Sequence, residues 1–115
     1  MAAPLEDIKV IDMSRILAGP LAGQILADLG AEVTKIESPK GDDTRTWGPP
    51  FIEREGDNSA SYFHSVNRGK SAICIDFNNA DDLETLVQLI QSADVLIENY
   101  KSGGLNALRP IDQGF

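Results

Sequence analysis

The chain has 115 residues, 42% of them hydrophobic and 24% charged, the size and composition of one ordinary globular domain. Its formal net charge of -8, with ten basic residues scattered along the sequence, argues against a nucleic-acid surface, which needs Lys and Arg clustered to meet phosphates. No window approaches the ~20 apolar residues of a membrane span, and the first seven residues carry two acids in place of a signal-peptide pattern.

In chain order, residues 8–12 form a short apolar strand, and residues 13–19 make the loop that leaves its carboxyl end. Pro20 suits the first turn of a helix over residues 20–29, where its missing amide hydrogen costs nothing. Leu21, Ala22, Ile25, Leu26 and Leu29 fall at helical spacing and predict the buried face, and Gly30 predicts the C-terminal cap. Residues 32–37 form a second strand, which the intervening helix makes parallel to the first. The first loop holds Gly19 and Gly23 but not the G-x-G-x-x-G spacing, so a dinucleotide site of the NAD type is disfavoured.

Ser38-Pro39 stops the second strand and opens a long loop over residues 38–51, which carries Lys40, Asp42, Asp43, Arg45 and the one tryptophan, Trp47. Loops of this length in compact domains commonly bind something, which makes this one a candidate binding segment. The alternative is a surface loop whose Trp47 and Phe51 plug back into the core, and the pattern alone does not choose between the two.

Residues 53–58 read as charged and irregular, and residues 60–66 as a short helix or turn with Tyr62, Phe63 and Val66 inward. Residues 71–77 form a third strand with a core of Ala72, Ile73, Cys74 and Ile75. Cys74, the single cysteine, has no disulfide partner within the chain, which favours a reducing compartment, and reads as a small core residue. Asn78 and Asn79 are caps for a helix over residues 81–91, whose Leu83, Leu86, Val87 and Ile90 make the buried face. Residues 94–98 are a fourth strand, followed by a loop over residues 99–104.

Short apolar strands separated by helices give an α/β fold with an open parallel sheet, and such sheets bind ligands beyond the carboxyl ends of their strands. The loops after the four strands should therefore share one site. Asp12 reads as a strand-end residue bonding loop amides, and Asp42 and Asp43 as turn formers. Two helices are too few to cover both faces of four strands, so apolar sheet surface should stay bare and the chain should tend to self-associate.

Five blocks carry a family resemblance: Arg15-Ile16-Leu17-Ala18-Gly19-Pro20, Leu29-Gly30-Ala31-Glu32-Val33-Thr34-Lys35-Ile36-Glu37, the run from Gly41 to Phe51, Asn67-Arg68-Gly69-Lys70-Ser71, and the run from Ala93 to Tyr100. In this order they resemble the amino-terminal quarter of family III CoA-transferases, the CaiB/BaiF or formyl-CoA transferase type. The resemblance implies a Rossmann-like CoA-binding part of a larger enzyme, with residues 1–108 in that part and residues 109–115 an atypical tail. The activity implied is movement of CoA from an acyl-CoA thioester to a carboxylic acid. Coenzyme A is then a substrate, no metal is involved, and an aspartate lying beyond Phe115 is the nucleophile. The run from Gly41 to Phe51 is similar to the succinyl-CoA-dependent, dicarboxylate-using branch.

By the same resemblance Leu17 and Ala18, with Arg15 and Ile16 beside them, lie along the CoA toward its thiol. Ile75, Asp76, Phe77 and Asn78 lie near the adenine, and Asn99, Tyr100 and Lys101 follow the pantetheine and diphosphate. Ser38 stands where some relatives have an arginine for a CoA phosphate, leaving Lys40 as a substitute, and the family pattern dissolves after Leu108. The family forms interlocked homodimers. The implied compartment is the cytoplasm, or the mitochondrion where a transit peptide is missing from this chain. A fragment without the nucleophile should be inactive, and a small non-catalytic α/β binding or regulatory domain is the alternative reading.

Overall fold

The computed structural model describes residues 3–101, so positions 102–104 of the last expected loop and the atypical tail at 109–115 lie outside the described residues. Four strands, β1 (Lys9–Asp12), β2 (Glu32–Glu37), β5 (Ser71–Cys74) and β6 (Val95–Ile97), form a parallel sheet in the order β5-β2-β1-β6. Between β2 and β5 the chain makes a 3-10 turn (Asp43–Thr46), the strands β3 (Phe51–Arg54) and β4 (Asp57–Ala60), and the short helix α2 (Ser61–His64). Helices α1 (Ala18–Asp28) and α3 (Ala80–Gln91) complete the fold.

The two-residue period of the strands divides the core between two faces. On one face Ile11, Met13, Ile36 and Ile75 pack with Leu86 and Ile90 of α3. On the other, Val10, Ala31 and Val33 meet Leu26 and Ala27 of α1. Helices on both faces of a parallel sheet are what its doubly buried strands require. The expected face of α3 is the observed one, and Asn79 caps it by accepting a hydrogen bond from the Asp82 amide at 3.0 Å.

Helix α1 departs from expectation. It starts at Ala18, which keeps Pro20 within the first turn, and it buries Pro20, Gly23 and Gln24 while Leu21, Ile25 and Leu29 are 44%, 51% and 43% exposed. The cause is a polar group beneath it. A Cβ on Gly23 would stand 2.7 Å from Asp12 Oδ2 and 3.2 Å from the Lys70 side chain. The helix therefore settles on its glycine side over the Asp12–Lys70 pair, and the Gln24 side-chain Oε1 accepts from the Arg68 backbone amide at 2.7 Å. The leucine-rich stripe is turned to the outside. The helix ends as expected, with Gly30 at φ 103 and its amide and that of Ala31 donating to the carbonyls of Ala27 and Leu26.

Strand β5 is shorter than expected because its partner β2 stops at Glu37, opposite Cys74. It is also one of the sheet's two edges. Ile73 packs toward α3, whereas Ala72 and Cys74 face the side where α1 covers only β1 and β2, so Cys74 is exposed and is not a core residue. The segment expected to be irregular is a hairpin, β3 pairing antiparallel with β4 around Glu55 and Gly56. Both turn residues have positive φ, 50° and 84°, the requirement of the tightest hairpin turn. Phe63 and Val66 are buried as expected, but Tyr62 lies outside, its ring 5.1 Å from that of Trp47. Trp47 and Phe51 are 45% and 49% exposed, so neither plugs into the core. Among the described residues no helix is long and apolar enough to cross a membrane.

Candidate functional site

A cleft of about 530 Å³ opens at the carboxyl ends of the strands. One wall is the chain leaving β2, from Ile36 to Asp43, and the other is the chain leaving β5, from Ile75 to Asn78. Arg15, from the loop after β1, and Tyr100, after β6, close the remaining side. The Arg15 guanidinium lies over the Tyr100 ring, 4.5 Å from its centre, and Phe77 stands 6.5 Å from the same ring. Burial pushes the Tyr100 hydroxyl pKa up, against the opposing pull of Arg15, so the phenol stays protonated.

Of the residues singled out from the sequence, Ile75, Asp76, Phe77, Asn78 and Tyr100 line this cleft. Asn99 stands beside it with its side chain committed to the backbone of Arg15, accepting from its amide at 3.1 Å and donating to its carbonyl at 2.8 Å. Leu17 and Ala18 open α1 at the surface and do not line the cleft, and neither does the exposed Lys101. The long loop after β2 supplies six of the fourteen lining residues, Lys40 among them. The contribution of Ile36 and Glu37 had no separate signal, because within a strand they read only as sheet.

Beneath the cleft runs a ladder of ion pairs. Lys70 Nζ meets Asp12 Oδ2 at 2.7 Å, Lys35 Nζ meets Asp42 Oδ2 at 3.0 Å, and Arg45 makes two 2.7 Å contacts with the carboxylate of Glu37. Asp12 also accepts the Ser14 amide at 2.9 Å, the loop-bonding role expected of it, and the Ser14 hydroxyl. Asp42 likewise acts as a turn former, accepting from the Thr44 amide at 3.0 Å and hydroxyl at 2.8 Å, although its pairing with Lys35 was not foreseen. Gly41, at φ 77, is required here: a Cβ would come within 2.9 Å of the Arg45 side chain on its way to Glu37.

Burial pushes the pKa values of Glu37 and Asp42 up, but it is outweighed by their hydrogen bonds. Arg45 and the Asp42 amide act on Glu37, and Thr44 and Lys35 on Asp42, so both stay below the usual carboxylate range. Burial pulls the Lys70 ammonium below its usual range, with Asp12 resisting. Every buried side-chain polar atom among the described residues has a partner. Asp12, Asp42 and Glu37 are thus each held by a cation and by hydrogen bonds.

Arg15 and Lys40, by contrast, have no carboxylate within ion-pair distance among the described residues. They are the two basic residues that line the cleft. No group of three or more His, Cys, Asp or Glu among the described residues could hold a metal. Ser59 contacts His64 Nε2 at 2.8 Å but is only 1% exposed, closed to any substrate.

Open parallel sheets take their ligands in a cleft at the carboxyl ends of their strands, which is where this cleft lies. The sequence matches CoA-transferase family III over residues 5–110, and the chain belongs to that family. It is 52% identical over 105 residues to a succinate–glutarate CoA-transferase of Agrobacterium fabrum, covering 89% of this chain and 26% of that protein. It is 46% identical over 106 residues to the human succinyl-CoA:glutarate CoA-transferase, covering 91% and 23% respectively. Among solved structures, a CaiB/BaiF family protein from Brucella suis superposes with a TM-score of 0.91 at 52% identity, over 96% of this chain and 31% of the other. The chain thus spans about a quarter of the length of the curated relatives it matches.

Proposed function

We propose that these residues are the CoA-binding part of an enzyme that transfers CoA from an acyl-CoA, in the succinyl-CoA-dependent, dicarboxylate-using branch, to a carboxylic acid. The observation that carries the reading is the cleft itself, with Arg15 and Lys40 unpaired at its mouth and Ile75, Phe77 and Tyr100 in its wall. A CoA nucleotide needs cations for its phosphates and an apolar or aromatic wall for its adenine. In this reading the adenine lies against residues 75–78, and Lys40 takes the place of the arginine that some relatives carry at the position of Ser38. Leu17 and Ala18 lie beyond Arg15, toward the thiol end, with Lys101 along the opposite side. Two relatives, from Agrobacterium fabrum and from human, are named for succinate or succinyl-CoA and glutarate, which supports the dicarboxylate branch.

The nucleophilic carboxylate is proposed to stand on a part of the enzyme other than these 115 residues. Their own buried acids are engaged by Lys70, Lys35 and Arg45. The working enzyme is proposed to be a homodimer in a reducing compartment, cytoplasm or mitochondrial matrix, where the exposed Cys74 thiol stays reduced.

The test is calorimetric titration of the 115-residue chain with CoA, beside an assay of acyl-CoA turnover with succinate and glutarate as acceptors. CoA should bind with salt-sensitive affinity, Arg15→Ala and Lys40→Ala should each weaken it roughly tenfold, and no turnover should appear. Absence of CoA binding, affinity unaltered in both variants, or turnover that survives purification would overturn the proposal.

A further inference from the structure

The loop after β1 contains a backbone conformation that its residue does not favour. Ile16 has φ 74, in the left-handed region, where a β-branched side chain is a genuine outlier. Strain of this kind persists only where the surroundings over-determine it. Here they do, through both peptide groups that flank Arg15. In the first, the Ser14 carbonyl accepts from Lys35 Nζ at 3.2 Å and the Arg15 amide donates to Asn99 Oδ1 at 3.1 Å. In the second, the Arg15 carbonyl accepts from Asn99 Nδ2 at 2.8 Å and the Ile16 amide donates to Asp42 Oδ2 at 3.3 Å.

The holders are themselves fixed. Lys35 and Asp42 are paired at 3.0 Å, with side chains only 2% and 1% exposed. Asp42 is anchored again through its amide to Glu37 at 2.9 Å. Neither Lys35 nor the oxygen of Asp42 that it shares with Ile16 is needed for the Thr44 cap, which uses the other oxygen.

We infer that Lys35 and Asp42, with Asn99, are positioning residues: they clamp the loop from Ser14 to Ile16 in its strained form so that Arg15 is presented over Tyr100 at the cleft, preorganised for the phosphates of the ligand. The inference deepens the reading of the cleft as a CoA site and rests on it for the identity of the ligand. The clamp itself is a property of the chain alone. A guanidinium delivered from a loop held at both flanking peptides loses less freedom on binding than one on a mobile loop.

The experiment compares the 115-residue chain with Lys35→Met/Asp42→Asn. The double change removes both charges together, so no buried ion is left unpaired, and the asparagine carbonyl can still cap Thr44. Two readouts are taken. The first is the NMR cross-peak between the amide and α protons of Ile16, strong only at positive φ. It should be strong in the parent chain and weak in the variant, with the Thr44 amide shift little changed. The second is CoA affinity, which should fall about tenfold, as for Arg15→Ala, with no further loss when Arg15→Ala is added to the double variant. A strong Ile16 cross-peak retained in the variant, or losses that multiply, would overturn the inference. Absence of CoA binding by the parent chain would overturn the reading of the ligand and leave the cross-peak to decide for or against the clamp. Should the double variant not fold, Asn99→Ala, which frees Arg15 from the opposite side, is read by the same two measurements with the same outcomes.

Discussion

Lys70 shows how tightly single residues are bound into this edge of the sheet. Its ammonium donates to Asp12 Oδ2, the Pro20 carbonyl and Asn67 Oδ1, at 2.7, 2.8 and 2.8 Å, and Asp12 is completely buried. Lys70→Met should therefore cost about 3–5 kcal/mol, because it strands a carboxylate away from water, and Lys70→Met/Asp12→Leu should recover part of that loss. Urea denaturation followed by circular dichroism measures both. Glu37 and Asp42 set the acid limit. Their pKa values are lowered in the folded chain from 4.5 and 3.8, so their stabilisation is complete above those values and is lost as the pH falls through the lower, folded ones. The melting temperature should hold steady down to about pH 5 and drop progressively below pH 4, and Glu37→Gln should flatten that drop.

At the level of elements, the hairpin of β3 and β4 depends on a turn that tolerates little. Gly56 has φ 84 and open space where a Cβ would go, so Gly56→Ala meets no clash and tests backbone strain alone. It should destabilise the chain by about 1–2 kcal/mol in urea denaturation, whereas Asn58→Ala on the exposed part of β4 should change little. The turn was legible in principle, since Glu55-Gly56 places glycine where positive φ is needed, but the charged residues around it masked the strand pattern. The four sheet strands and the two long helices could be read because their apolar residues repeat with the period of the element that buries them. The orientation of α1 could not. Its apolar stripe is genuine, but the helix packs on Gly23 because Asp12 and Lys70, distant in sequence, fill the space beneath it. Cys74 was misplaced for a related reason: an apolar run tells that a strand is buried, not that it lies at an edge with one face covered. The cleft was legible through its loops, and Asn99 shows the limit. It stands beside the cleft, and no local pattern tells that its side chain is spent on the backbone of Arg15.

For the whole molecule, the exposed stripe has consequences for association. Leu17, Leu21, Ile25 and Leu29, one turn apart and 38%, 44%, 51% and 43% exposed, form a contiguous apolar strip along α1. The 115-residue chain should self-associate with rising concentration and bind a hydrophobic dye, despite its net charge of -8. Leu21→Gln/Ile25→Lys should make it monomeric in size-exclusion chromatography with light scattering, without lowering its melting temperature. An unchanged oligomer in that variant would move the contact elsewhere, with the open edge at β5 the next surface to alter.

The strand order also dictates a timetable. β1 lies in the interior of the sheet yet is made before either of its neighbours. β2 follows within one helix, but β6 arrives only after α3, where the Lys9 backbone amide donates to the carboxylate of Asp94, 85 residues along, and the Lys9 carbonyl accepts from the Asp94 amide. Closing so long a stretch of chain carries an entropic cost before any contact offsets it, which slows folding. A nascent chain halted before Asp94 would hold Val10 and Ile11 in a sheet still open on one side, at the stage when other hydrophobic segments can most easily capture them.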